Sequence, residues 1–484
     1  MNLNNRLLLL LIILFSGTCW YLSSGLNGDF WWLFWIAPVP VLFVSYKLSS
    51  GKAFWVAFLA YLLGRLSWLS YLLSVVPVGL AIIFTSMLPL IFAVIILISR
   101  SIVLRIKNWI GLLAFPTLVV SFEYLLFHVT GDGTAGSIAY SQANCLPLIQ
   151  IASITGILGI VFTISLFSST VAWCIFSRNQ RPKMVQAMVV GTLIITAVFF
   201  FGLVELYAID LPKSSLPIGL FSAAESRHHE ERKFNTEKGD SLLREYEESI
   251  AHLSSEGALI IVLPEKMITV TSDQDSAFRK KFSDIAIRNK VNLVVGYTLT
   301  KDRSIKNLSW IVSSQGQTLA VYQKVNLFEG EAREGFQRGD SISVFTMEHS
   351  RAGTAICKDM DYQSFLRKYG RAGVDVLFVP AWDFERDDWL HSRMSILRGV
   401  ENGFGIARCA RMGRLTISNR HGRVLAEAST SDGRAASVME SLPVYSYKTV
   451  FSYWGDWFVA LNIILALFLI LVARKNAKQA KAQK

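Results

Sequence analysis

The sequence predicts a multi-span α-helical membrane domain joined to an α/β layered domain. Three observations lead there. First, 52% of the 484 residues are hydrophobic and 17% are charged, with a mean hydropathy of +0.40, whereas soluble domains carry about 25% charged residues. Second, the apolar character is partitioned. Residues 1–205 and 451–484 are apolar with sparse charge, and 206–450 have the composition of a soluble domain. Third, the middle segment alternates short apolar runs with amphipathic stretches, the pattern of strands and helices in turn.

A bilayer span needs about 20 mostly apolar residues. Eight candidates answer: 7–23, 30–46, 53–72, 78–98, 109–127, 154–176, 184–204 and 451–473, the second interrupted by Pro38 and Pro40. Seven fall in 1–205, and the eighth leads into a basic tail. Positive charge then predicts orientation. Arg6, Lys47, Lys52, Arg100, Arg105, Lys107, Arg178, Arg181, Lys183, Arg474, Lys475, Lys478, Lys481 and Lys484 all fall on one side, while loops 24–29, 73–77 and 128–153 carry no Lys or Arg. Both termini are therefore expected in the cytoplasm and 206–450 outside it. The same bias accounts for part of the +12 net charge, which argues against a nucleic-acid partner. The first span is read as retained, because no small-x-small cleavage site follows it. Cys19 is read as a buried membrane thiol, since Ser16-Gly-Thr-Cys19 lacks the aliphatic residue of a lipoprotein processing box. Arg65 and Glu123 lie within spans, where charge is expensive and often functional. They are either a functional pair or groups that face the bundle or snorkel.

In the middle segment, strands are expected at 217–221, 258–263, 291–297, 309–313, 318–323, 354–357, 374–380 and 405–410, with a final hairpin over 416–425. Helices are expected at 237–253, 278–289, 362–369 and 389–401. The five cysteines form no disulfide framework and no zinc spacing. The run Glu225-Ser-Arg-His-His-Glu-Glu-Arg232 reads as a solvated charged loop rather than a metal site, so neither metal nor cofactor is expected.

Three residues close apolar runs in this segment. Glu265 follows Ala258–Pro264, Lys324 follows Leu319–Gln323, and Cys357 follows Gly353–Ile356. Strand ends are where open α/β folds collect their chemistry. Taken singly, each has an ordinary reading: a surface carboxylate, a solvated lysine, a core thiol. Together, in this order, they resemble the Glu-Lys-Cys triad of the nitrilase (carbon–nitrogen hydrolase) superfamily. Asn307–Lys324 is similar to that family's asparagine-to-lysine hairpin, and Gly373–Trp382 to its post-cysteine strand. Ala139-Tyr-Ser-Gln142 looks like the Gly-Tyr-Ser-Gln segment of bacterial apolipoprotein N-acyltransferases. With spans on both sides, the whole chain resembles that family, which implies a nitrilase-like α-β-β-α sandwich over 206–450 as the catalytic domain.

The resemblance implies the roles. Glu265 is the expected general base on Cys357, because a thiol with a pKa of about 8.5 is only a few per cent thiolate at neutral pH. Lys324 is expected to favour the thiolate and stabilise the oxyanion, with the Lys358 backbone N–H as second donor. Glu331 looks like the family's second glutamate, with Glu329 and Glu334 as competitors. Asp359 keeps an acid after the cysteine, Lys358 replaces an aromatic residue there, and Lys266 stands where the family tends to have a small residue. The first strand runs into Leu220–Glu225 without the family's Gln-Gly-Asn segment. Trp382, Phe384 and Trp389 form either a mouth beside the cysteine or core.

The implied activity is acyl transfer in the bacterial inner membrane, from a phospholipid through a Cys357 thioester to the N-terminal amine of a diacylglyceryl-cysteine lipoprotein. The departures keep a different amine acceptor open. A membrane-bound amidase passing the acyl group to water is a second reading, and a non-catalytic scaffold a third. The flanking spans point to a monomer.

Overall fold

The computed structural model describes residues 5–23, 26–208, 211–225, 232–302 and 304–482. Most of the charged run 225–232 and the terminal Lys484 therefore lie outside the described residues. The chain divides into two compact units. One comprises Met1–Asp132, Gly136–Tyr207 and Asp456–Lys484, the other Gly133–Ala135 and Ala208–Gly455.

The first unit is helical. Among the described residues, six helices are long and apolar enough to cross a membrane: Ser50–Val75, Val78–Ile106, Trp109–Val129, Leu158–Phe176, Arg181–Tyr207 and Trp457–Ala482. The first expected span is the 17-residue helix Arg6–Leu22. The second is two short pieces, Leu33–Ile36 and Pro38–Ser45, because Pro38 lacks the N–H that would continue the helix and is tolerated only in a first turn. The expected sixth span starts later, at Leu158, because Gly156 adopts φ 69° and ends the short helix Ala152–Thr155. Small residues let helices approach: a Cβ on Gly64 would collide with Trp20 Cβ.

The loop segment Ala139–Gln142 is fully buried. Gln142 Oε1 accepts from Trp35 Nε1 at 2.8 Å, and its Nε2 donates to the Trp31 carbonyl at 3.1 Å. Glu123 does not serve as an ion-pair partner for Arg65 among the described residues. It accepts instead from Ser137 Oγ at 2.7 Å and Ile138 N at 3.2 Å. Arg65 lies over the Trp68 ring at 4.5 Å.

The described residues of the second unit form thirteen strands: β1 (Ser214–Ser222), β2 (Ile260–Val262), β3 (Thr269–Thr271), β4 (Asn292–Lys301), β5 (Ser304–Val312), β6 (Thr318–Gln323), β7 (Ser343–Met347), β8 (Ser350–Thr354), β9 (Val376–Trp382), β10 (Gly405–Arg411), β11 (Arg414–Ser418), β12 (Val424–Ser429) and β13 (Ala436–Val444). They form two sheets. One runs β13-β1-β2-β4-β5-β6, with β3 also paired to β4, and the other β12-β11-β10-β9-β8-β7. Each has a parallel centre, β1-β2-β4 and β8-β9-β10, flanked by antiparallel partners.

Apolar side chains of both sheets, including Ile218, Val262, Val294, Phe378, Ala407 and Ile417, share one core cluster. On its other face the first sheet packs against helices Glu237–Ser255 and Asp275–Asn289, through Leu242, Tyr246, Phe278 and Phe282. The second sheet packs against Gln363–Arg371 through Phe365, Leu366 and Tyr369. The result is the α-β-β-α sandwich. Each fully buried Leu, Phe or Ile contributes about 1.5–3 kcal/mol, and these interleaved faces fix strand register, since a one-residue slip would turn them outward.

The strands differ from expectation around Cys357, at the short strand β3 (Thr269–Thr271), which no run predicted, and at two edges. The strand before Cys357 ends at Thr354, and Cys357 begins a short 3-10 turn, Cys357–Asp361. The edge strands β7 and β13 were not anticipated. β13 pairs along all of β1, yet alternates weakly in sequence.

The chain just beyond β2 passes very close to β4. A Cβ on Gly296 would overlap the Pro264 carbonyl oxygen and stand 2.9 Å from Glu265 Cα. Gly296→Ala is expected to destabilise the protein by about 1–3 kcal/mol through overpacking, read as a lowered thermal midpoint.

Candidate active site

Both parallel centres deliver polar residues just beyond their carboxyl ends. Glu265 follows β2, Cys357 follows β8, Trp382 ends β9 and Arg411 ends β10. The turn after β2 is held on both sides. Glu265 N donates to the Ala381 carbonyl at 3.3 Å, and Met267 N to the Gly296 carbonyl at 2.9 Å. Arg411 Nη1 donates to the Lys266 carbonyl at 2.7 Å. Lys324 follows β6 and is anchored through its own N–H to the Asn307 carbonyl at 3.0 Å.

The side chains meet in one ion cluster. Lys324 Nζ lies 2.8 Å from Glu265 Oε1 and 2.8 Å from Glu331 Oε2. Lys266 Nζ lies 2.7 Å from Glu331 Oε1. Asn307 Nδ2 donates to Glu265 Oε1 at 2.6 Å and to Glu331 Oε1 at 2.9 Å. Phe328 N caps the remaining side, donating to Glu331 Oε2 at 3.0 Å. Two carboxylates thus face two ammonium groups. Glu265, Lys324, Glu331 and Asn307 are buried, where an unpaired charge would cost several kcal/mol. Glu329 is instead exposed and pairs with Arg333.

Charge sets the protonation states. Burial alone would lower Lys324, but Glu265, Cys357 and Glu331 outweigh it and hold the ammonium well above its usual range. Burial alone would raise Glu331, but Lys324 and Lys266 outweigh it and hold the carboxyl well below its usual range. Cys357 goes the other way: burial, then the Glu265 charge, push its thiol well above the ordinary value, with Lys324 and Arg408 only partly opposing. The expected bias of Lys324 toward the thiolate is therefore present but overridden. The resting group is a thiol, and it donates to the Trp382 carbonyl at 3.4 Å.

Cys357 adopts φ 44° and Lys266 φ 47°. Left-handed backbone in a non-glycine residue is strained and needs enforcement. At Cys357 the enforcement comes from Asp359, whose Oδ2 accepts from Tyr322 Oη at 2.6 Å and Ile356 N at 2.9 Å. Its Oδ1 accepts from Asn326 N at 2.8 Å and Asn326 Nδ2 at 2.9 Å.

Two expected substrate contacts are thus placed elsewhere. Asp359 is fully buried, with both oxygens committed to holding the cysteine turn. Trp389 is buried in the first turn of helix Asp388–Asn402, with Arg393 5.3 Å over its ring. Trp382 remains at the site, 39% exposed, with Arg411 stacked on its ring at 4.0 Å. Phe384 is exposed and packs on Phe328 at 5.4 Å. The Lys358 side chain turns to Asp361 at 3.5 Å.

Sequence reasoning did not single out Asn307 as a bridge between the two glutamates. The available signal was a polar residue among the inward positions of β5. Nor did it find the buried bidentate pair Arg408–Asp383, at 2.9 and 2.5 Å, behind the cysteine.

Comparison with known proteins matches the two parts of the chain separately. Residues 232–437 match the carbon-nitrogen hydrolase family. Residues 16–170 match the apolipoprotein N-acyltransferase N-terminal domain. The chain belongs to the apolipoprotein N-acyltransferase family. It is 26% identical over 435 residues to the apolipoprotein N-acyltransferase of Geobacter metallireducens, covering 81% of this chain and 82% of that protein. It is 27% identical over 222 residues to 2-oxoglutaramate amidase of Bacillus subtilis, covering 40% of this chain and 85% of that protein. Among solved structures it is similar to an amidase from Nesterenkonia sp., with 19% identity and a TM-score of 0.42, over 49% of this chain and 93% of that one. This apolipoprotein N-acyltransferase family member is therefore a membrane-embedded enzyme of the nitrilase superfamily.

The electrostatics of the site set two expected outcomes. Iodoacetamide should alkylate Cys357 more slowly at pH 7 than a free thiol, with a rate that climbs into the alkaline range. Lys324→Met should slow it further, because removing the ammonium raises the thiol again; mass spectrometry of the labelled peptide reads both. The second outcome concerns His391, whose Nε2 lies 2.9 Å from Asp387 Oδ2, while Asp387 Oδ1 accepts from Phe384 N at 3.1 Å. Burial alone would lower the imidazole from its ordinary 6.5, but Asp387 outweighs it and raises it to about 9. A raised folded-state value stabilises fully below the unfolded value and is lost as pH rises through the folded one. The thermal midpoint of the parent protein should exceed that of His391→Gln by most below pH 6.5, and the difference should shrink through pH 9.

Proposed function

We propose that this enzyme transfers an acyl chain from a membrane phospholipid to the N-terminal amine of a diacylglyceryl-cysteine lipoprotein. The observation that carries the reading is a partly buried thiol on a strained turn, facing a buried Glu-Lys-Glu cluster, in a chain whose described residues include six helices long enough to span a bilayer. In the first half-reaction Cys357 Sγ attacks the ester carbonyl. The S–C bond forms, the thiol proton passes to Glu265 and on to the departing lysophospholipid alkoxide, and the ester C–O bond breaks. In the second, the acceptor nitrogen attacks the thioester. The N–C bond forms, the C–S bond breaks, and the amine proton returns through Glu265 to Sγ. Lys324 and the Lys358 N–H stabilise the oxyanion in both. The raised thiol value favours this base-assisted route over a standing thiolate.

The positive loops support placing both termini in the cytoplasm and the catalytic unit outside the inner membrane. Both substrates are then anchored in the same leaflet, and confinement supplies proximity.

The test is intact mass of the detergent-purified protein after phospholipid, then after a diacylglyceryl-cysteine peptide. A hydroxylamine-labile, acyl-sized adduct should form, move onto the peptide amine, and vanish in Cys357→Ala. Glu265→Gln should slow its formation by about 10²–10⁴-fold. An adduct lost to water in the presence of peptide would support an amidase instead.

A further inference from the structure

Glu331 carries two ammonium groups that differ in kind. Lys324, on Oε2, is 2% exposed and also binds Glu265. Lys266, on Oε1, is 16% exposed and, among the described residues, makes its one carboxylate contact there. Its ammonium sits between two rings, 4.7 Å from the centroid of Phe336 and 5.4 Å from that of Trp382. A carboxylate flanked by aromatic faces is a general site for an alkylammonium ion, whatever molecule bears it. Trp382 is 39% exposed, so one wall of this site is open to an incoming group. Trp382 also supplies the carbonyl that accepts from the Cys357 thiol, which puts the cage beside the nucleophile.

The lysine is directed into the cage rather than resting there. Its backbone is held at φ 47°, and its carbonyl is pinned by Arg411 at 2.7 Å. With Lys266 in place the two carboxylates and two ammonium groups balance. An amine arriving as its ammonium ion restores that balance only by displacing Lys266, because Lys324 is enclosed and committed to both glutamates.

We infer that Lys266 sets acceptor specificity by occupying, with its own ammonium, the Glu331 site that the acceptor amine takes during deacylation. This rests on the acyl-transfer reading above. Lys266 then acts as a tethered competitor. A weakly held amine is excluded and the thioester kept for an acceptor whose other anchors compensate for the displacement. The entering ammonium ion loses one proton to water at the open side of the cage, its nitrogen attacks the thioester, and its second proton passes through Glu265 to Sγ as the C–S bond breaks.

The experiment uses the full-length protein in detergent, 4-nitrophenyl butyrate as acyl donor and glycine methyl ester as probe amine. The ratio of amide to acid is followed against amine concentration. Replacing a charge-assisted contact of this kind changes affinity by about tenfold or more. Lys266→Met and Lys266→Gln should therefore lower the half-saturating amine concentration about tenfold, as a change in KM rather than kcat, and Lys266→Arg should stay near the parent. An unchanged or increased KM in both the Met and Gln variants would overturn the proposal. So would acid as the sole product at every amine concentration. The activated ester keeps this test separate from the phospholipid reading, which fails if the parent forms a thioester from the ester but none from any phospholipid.

Discussion

The contact between Lys324 and its two glutamates is the constraint on which the catalytic unit depends. Three charged groups are almost completely removed from water at one point, and burial of such ions is repaid only when every one is paired and hydrogen-bonded. The fold meets that condition from four directions. β2 delivers Glu265, β5 delivers Asn307 as a bridge, β6 delivers Lys324, and the Phe328 N–H closes the last lone pair of Glu331. Loss of one partner leaves an uncompensated charge, so these segments stand or fall together.

The second sheet answers with strain. Cys357 is kept in left-handed backbone by an aspartate that accepts four hydrogen bonds. That conformation presents the sulfur to the Trp382 carbonyl at the end of the neighbouring strand. The first sheet therefore supplies charge and the second supplies the nucleophile, and the apolar core between them sets their spacing. Behind the cysteine, Asp383 and Arg408 form a bidentate pair, and Arg408 Nη1 also donates to the Arg414 carbonyl. Burial first, and then the Glu265 charge, hold the thiol above its ordinary range, with Asp383 adding to them and Lys324 and Arg408 opposing.

Much of this was legible in the chain for identifiable reasons. The membrane helices announce themselves through long apolar runs, and the expected spans are cut where proline or glycine interrupts them, at Pro38, at Gly156 and at Gly455, beyond which the last long helix starts only at Trp457. The central strands are legible because they are buried on both faces and read as continuous apolar runs. The edge strands β7 and β13 are not, since their half-exposed positions mix polar and apolar residues. Glu265 and Cys357 could be named because each follows a central apolar run, and Lys324 because it closes the strand-like run of the edge strand β6. Glu331 could be named only by resemblance, with Glu329 and Glu334 as rivals, because its burial depends on a contact with Lys324 that no local pattern encodes.

The two architectures, the family and the three residues at the strand ends were already written in the chain, because periodicity, composition and local order are properties of neighbours along it. It took the packed fold to select which acid joins Lys324 and to make Asn307 the bridge between carboxylates. Packing likewise gave Asp359 to the turn and Trp389 to the interior, and brought Lys266 to rest on Glu331. Those outcomes depend on the distance and burial of groups far apart in sequence. Charge pairing and desolvation act through space, and only the packed sheets bring their partners within reach.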